Sequence, residues 1–322
     1  MHISIATVCS VAIFALPSVT AWGKVAHRVI GLIAKQFLTK EGLEYVDAYL
    51  HQQSMDSIGS WADNDRESYE GYDAPEYRKH SPILFVWTCL SLLNSRIKCV
   101  LFSHICPITH THAWSKISPP PWIPSEAKCV YDDHRDCADG ICLSSAIARH
   151  NRILMESTSP DDPGAEESMK YIIHYVSDMM GGSLTKVRFA NRFRSLHTIW
   201  DTHIPEKRVL DDFQGSEALY ASYLIRNIKT GENKVLSESW TSKLPIDAVN
   251  DIGNSVAAIE YTADSYELSC SVAWANYNEH REKNLGSKYY GDFFKTVDMQ
   301  ISKAGLRVAK WLNDLAQFAL TN

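Results

Sequence analysis

The run SMKYIIHYVSD at residues 168–178 shows the helical period most plainly. Met169, Ile172, Ile173 and Val176, continued by Met180, recur at three- and four-residue intervals, which turns one apolar stripe of a helix toward a core. On that helix His174 and Asp178 stand four residues apart, and side chains at i and i+4 project from one face. HTIWD at 197–201 repeats the spacing with His197 and Asp201. An imidazole and a carboxylate on one face make either an ion pair or two metal ligands. The mixture suits Zn²⁺, whereas Mg²⁺ and Ca²⁺ prefer oxygen alone. One such pair is weak evidence, and two beside apolar helical faces are stronger.

The same period extends in both directions. Val25, Val29, Leu32, Ile33 and Phe37 form one face, and Phe294, Val297, Ile301, Val308, Leu312 and Leu315 run down a long C-terminal helix. Further helical windows are 142–157, 214–228 and 252–266, and no convincing alternating strand is seen. Loops are expected at 54–82, 118–140, 158–164 and 229–247, where Pro, Gly, Ser and Asp collect. The expected fold is all-α, a single mainly helical domain over residues 22–322.

Residues 1–21 carry no Lys, Arg, Asp or Glu, and the apolar run Ile3 to Leu16 ends at Pro17 before small residues. This pattern reads as a secretory signal cleaved after Ala21, which makes Trp22 the mature N-terminus. A buried helix or membrane anchor is the competing reading, and the run is short for a span. Trp22 is accordingly either a core aromatic or a chain terminus with chemical work to do.

The formal net charge of −6 argues against a simple basic clamp on nucleic acid, since phosphate affinity normally comes from clustered Lys and Arg. Bound cations reverse that argument, because they can be the largest local charges in a site. The eight cysteines fit a secreted chain that pairs them. Cys137 and Cys142 close a small loop in DCADGIC, and Cys129 and Cys270 are the other well-placed pair.

In SWADNDR, residues 60–66, Asp63 is either a cap or turn residue or a carboxylate ligand beside a buried aromatic, with Arg66 placed to meet phosphate oxygens. Residues 80–125 contain no Asp or Glu and have no clear period. Residues 86–111 within them read either as a buried hydrophobic segment or, as we expect, as an insertion translated from an intron. A mature transcript that encodes them would exclude the latter.

These features resemble the class I zinc-dependent nucleases, secreted single-strand nucleases with 3′-nucleotidase activity that share an all-α fold with zinc phospholipase C. The resemblance rests on WGKVAHRVIG (22–31), SWAD-x-x-R, KCVYDDHRDCADGICLSSAIA (128–148), HYVSD, SLHTIWDTHI (195–204), ELSCSVAW (267–274) and YYGDFFKTVDMQISKAGLRVAKWLN (289–313). It implies three zinc ions. Asp63, His174 and Asp178 would hold one, Asp178 would bridge to a second held by His27 and the Trp22 amine and carbonyl, and His197 and Asp201 would hold the third. Arg66 takes the place of the family's phosphate-stabilising arginine, and the implied disulfides are Cys129 with Cys270 and Cys137 with Cys142. Zinc lowers the pKa of bound water to about 7. The implied substrates are single-stranded DNA, RNA and 3′-nucleotides, with no membrane and no stable protein partner.

The chain departs from the family pattern twice. MMGGSLT at 179–185 replaces a ligand-bearing segment, so the third zinc lacks a histidine unless His203 or another group substitutes. A second ligand histidine after Arg66 is displaced, with His112 as the candidate and His110 and His80 as alternatives. Ala113 then stands where the family has a base-stacking aromatic. A catalytically impaired zinc-binding member is the alternative to an active nuclease, and a zinc phospholipase is disfavoured by SWAD-x-x-R and the cysteine segment.

Overall fold

The computed structural model describes residues 22–61, 130–137, 142–178, 186–274 and 284–321. Gly23, extended at φ −73° and ψ 166°, leads into α1 (Lys24–Lys35). The face of α1 that carries Val29, Ile30 and Ile33 is buried. Thr39 caps α2 (Lys40–Tyr49) by accepting from the Gly42 amide, and the short α3 (Met55–Ile58) follows. After α4 (Asp133–Asp136), α5 (Leu143–Glu156) packs on α6 (Ala165–Ser177). Helix α6 buries Met169, Ile172, Ile173 and Val176, as the period requires.

A two-stranded antiparallel hairpin, β1 (Lys186–Phe189) and β2 (Arg192–Ser195), then leads into α7 (Leu196–Thr198), a π-helical turn (Ile199–His203) and α8 (Ile204–Asp212). The chain continues through α9 (Glu217–Lys229), α10 (Lys234–Ser237), α11 (Val256–Leu268) and a second π-helical segment (Ser269–Trp274). It ends in α12 (Lys288–Thr321), 34 residues or about 50 Å at 1.5 Å per residue.

Helix α1 lies at the centre, in contact with α12, α3 and α9. Two glycines permit that closeness. A Cβ on Gly31 would stand 2.7 Å from the Met55 carbonyl oxygen, and one on Gly59 would stand 2.7 Å from the His27 carbonyl oxygen. Trp22, Ile33, Val297, Ile301, Leu312 and Trp311 belong to the resulting core. Trp200 and Trp240 are buried as well, and Trp61 packs edge-on against Tyr171 with ring centroids 5.3 Å apart.

The expected absence of strands is corrected by the hairpin. Its sequence, KVRFANRFRS, hid the alternation because Phe189 is buried while Arg188, Arg192 and Phe193 face solvent. The loops expected at 54–82, 118–140 and 229–247 contain the one-turn helices α3, α4 and α10. Cys137 and Cys142 form the expected disulfide. The leader 1–21, the segment 86–111, Cys129 and the side chain of Cys270 lie outside the described residues. No helix among the described residues is long and apolar enough to cross a membrane.

Candidate metal centre

Three elements converge on Asp178. It caps the C-terminus of α6, where helix carbonyls make a local negative field and a carboxylate is disfavoured. It is also 1% exposed. Something positive must offset both costs. The Trp22 backbone nitrogen donates to its Oδ1 at 2.8 Å, His27 Nε2 lies 3.5 Å from Oδ1, and His174 Nε2 lies 3.7 Å from Oδ2. The two imidazoles stack with centroids 4.5 Å apart. One ligand atom from each of His27, His174 and Asp178 lies within 4.8 Å of the others.

The partners of the opposite ring nitrogens determine what this cluster presents. The Gly59 carbonyl, 2.9 Å from His174 Nδ1, can only accept, so Nδ1 carries the proton. The Ser177 hydroxyl donates to the His174 carbonyl at 2.6 Å, so at 3.0 Å from His27 Nδ1 it accepts. Both rings therefore present an Nε2 lone pair on the side of the Asp178 carboxylate. Three electron-rich groups brought together in a buried site repel one another unless a cation lies among them, and this donor set fits zinc.

A second pair stands nearby. His197 Nε2 is 2.7 Å from Asp201 Oδ2, both buried, and the Gly23 amide donates to the Asp201 carbonyl at 3.1 Å. Residues 22 and 23 therefore tie Asp178 to Asp201. The expected regular helix under HTIWD is corrected here, since Asp201 sits in the π-helical turn, an irregularity often found at functional sites. Trp200, beside it, donates through Nε1 to the Tyr289 hydroxyl at 2.8 Å.

His203 does not complete this pair. Its Nε2 accepts from Arg194 Nε at 2.8 Å and its Nδ1 pairs with Glu206 at 3.2 Å. Among the described residues no third His, Cys, Asp or Glu joins His197 and Asp201 within 4.8 Å. Asp63, Arg66, His80, His110, His112 and Ala113 lie outside the described residues. The other described histidines are accounted for: His51 pairs with Glu166, His134 with Asp251, and buried His150 bonds Ser168, while His2, His104 and His280 lie outside the described residues. Ser177 and the Gly59 carbonyl were not recognised from sequence. Only the proximity of Ser177 to both His174 and Asp178 in HYVSD hinted at a supporting role.

Comparison with known proteins points one way. The family model described as S1/P1 Nuclease matches residues 22–317. The chain is 24% identical over 308 residues to Nuclease P1 of Penicillium citrinum, covering 91% of this chain and 97% of that protein. It is 26% identical over 327 residues to Nuclease S1 of Aspergillus oryzae, covering 95% and 96%. Endonuclease 4 of Arabidopsis thaliana is 23% identical over 315 residues, covering 91% and 88%.

Proposed function

The chain belongs to the S1/P1 nuclease family, and from that premise we propose that it is a secreted zinc enzyme. It hydrolyses single-stranded DNA and RNA to 5′-phosphorylated products and also acts as a 3′-nucleotidase. The observation that supports this most directly is the pair of Nε2 lone pairs, on His27 and His174, set against the buried Asp178 carboxylate.

Zinc would be held by His174 and Asp178 with Asp63, by His27, Asp178 and the mature Trp22 amine and carbonyl, and by His197 with Asp201. When bound, it supplies Lewis acidity that makes water a nucleophile near neutral pH and offsets charge on the phosphoryl oxygens. The chain's own residues prepare the site. Ser177 and the Gly59 carbonyl hold the two rings in the tautomer that leaves Nε2 as an acceptor. Burial of His27, His174, Asp178, His197 and Asp201 keeps bulk water from these groups. Arg66 meets the phosphate during reaction, and cleavage after Ala21 frees the amine that already stands 2.8 Å from Asp178.

The test is hydrolysis of single-stranded DNA and of a 3′-mononucleotide by purified, zinc-loaded protein. Folded, metal-loaded protein that turns over neither substrate would refute the proposal. A second reading, a catalytically impaired family member, is favoured by the engagement of His203 with Arg194 and Glu206. Zinc content separates the two: near three per chain supports the enzyme, one or two supports the impaired form.

A further inference from the structure

Two π-helical segments occur among the described residues, Ile199–His203 and Ser269–Trp274, and one buried phenol joins them. A π-helical turn is rare and appears mostly as a single wide turn inside an α-helix, so its surroundings have to hold it open. Tyr289, in the first turn of α12 and 1% exposed, stands between the two segments. Its hydroxyl lies 2.8 Å from Trp200 Nε1 and 3.4 Å from the Ala273 carbonyl oxygen.

The direction of both bonds is fixed by chemistry, because an indole nitrogen only donates and a carbonyl only accepts. The Tyr289 hydroxyl therefore accepts from Trp200 and donates its own hydrogen to Ala273. Burial pushes the phenol pKa up, so that hydrogen stays in place at neutral pH. Trp200 is 4% exposed, with its ring centroid 6.3 Å from that of Tyr289 and 5.9 Å from that of Phe293. An indole N–H enclosed in this way has no solvent to turn to if the phenol oxygen is removed.

Trp200 is the residue before Asp201, so a fixed indole fixes the peptide that joins them. On the other side, the Gly23 amide donates to the Asp201 carbonyl at 3.1 Å. Held at both points, Asp201 brings Oδ2 to 2.7 Å from His197 Nε2. Relaxation of the wide turn to an ordinary α turn changes the angle between positions 197 and 201, and with it the geometry of the pair. We infer that the Tyr289 hydroxyl is a positioning group for the His197–Asp201 pair, acting through Trp200 to hold open the π-helical turn that aims Asp201. The inference rests on the proposed zinc site at that pair, and it adds a support that reaches the site from 89 residues further along the chain than Trp200.

The test compares Tyr289→Phe, which deletes only the hydroxyl, with a matched control. Tyr261 on α11 is 2% exposed and its hydroxyl accepts from the Ser242 amide at 2.8 Å, so Tyr261→Phe also removes the acceptor of a buried N–H. Hydrogen exchange of metal-free protein is followed by mass spectrometry on peptides that span 197–204. Exchange there should quicken at least tenfold in Tyr289→Phe and stay within twofold of wild type in Tyr261→Phe. In a Trp200→Phe background, which lacks the other end of the same bond, Tyr289→Phe should change that exchange by less than twofold. Competition against a chelating dye should show one of the wild-type zinc sites weakened at least tenfold in Tyr289→Phe and none in Tyr261→Phe. A tyrosine with a structural role alone would behave as Tyr261 does, lowering the melting temperature and leaving the zinc affinity of the folded protein unchanged.

Exchange in Tyr289→Phe within twofold of wild type overturns the inference, and so does an equal acceleration at 197–204 in Tyr261→Phe. Faster exchange with all three wild-type zinc sites unchanged overturns it as well. A wild type that holds fewer than three zinc ions counts against the nuclease reading, and the exchange measurement then decides the inference alone.

Discussion

Replacing Ser177 by alanine removes one oxygen that does two things. It accepts from His27 Nδ1 at 3.0 Å and donates to the His174 carbonyl at 2.6 Å, in a position 2% exposed. Water does not reach His27, which is fully buried, so its Nδ1–H loses an acceptor that solvent cannot replace. That deletion costs about 1–3 kcal/mol. It also frees the ring to carry its proton on Nε2, where a metal needs a lone pair. Loss of such a supporting partner lowers metal affinity about 10- to 100-fold, equivalent to about 1.4–2.8 kcal/mol. The two ranges agree, so the deleted bond suffices to account for the expected affinity loss. Zinc affinity is read by calorimetric competition against a chelator, and stability by melting with and without zinc. Metal-free protein should melt on the order of 4 °C lower. Ser177→Ala protein that is folded and binds zinc within twofold of wild type would refute the tautomer argument.

Other perturbations probe separate parts of the molecule. Burial pushes the His150 imidazole down to about 3, so the unfolded chain binds a proton that the folded one refuses below pH 6.5. The associated stability is complete above pH 6.5 and falls by about 1.4 kcal/mol per unit toward pH 3. His150→Gln should flatten that limb in urea titrations at pH 4–7, and an unchanged slope would exclude His150 as its source. Asp133 is a buried carboxylate that accepts from Tyr131, Ser144, Asn250 and Asn254. Asp133→Asn sets an amide donor against donors and should cost about 3 kcal/mol in chemical unfolding. Gly59→Ala forces a Cβ to 2.7 Å from the His27 carbonyl oxygen and should weaken zinc binding at least tenfold. Gly31→Ala, crowding Met55, should instead lower stability by about 1–3 kcal/mol, as measured by denaturant midpoint.

The helices were legible because burial on one side writes a 3.6-residue period into the chain. In α6 the apolar positions 169, 172, 173 and 176 are those the structure buries. The hairpin was not, because a strand whose outer positions hold Arg188 and Phe193 shows no inside–outside alternation. The π-helical turn was also hidden, since one wider turn leaves the composition of IWDTH unchanged. For the site, the His–Asp pairs could be found because i and i+4 share a face. Ser177 and Gly59 act through a hydroxyl and a backbone carbonyl whose partners come from distant segments, and no local spacing encodes that meeting.

The contacts that assemble the candidate metal centre span the chain. Trp22 meets Asp178 across 156 residues, and His27 meets Ser177 across 150. Synthesis proceeds at about 5–20 residues per second, so on the order of ten seconds pass between the emergence of Trp22 and His27 and that of Asp201. During that interval neither half holds a complete centre. A chain that stops before Asp178 therefore lacks the carboxylate around which Trp22, His27 and His174 gather. The candidate centre exists only after the two halves have met, so folding itself is the step that creates it.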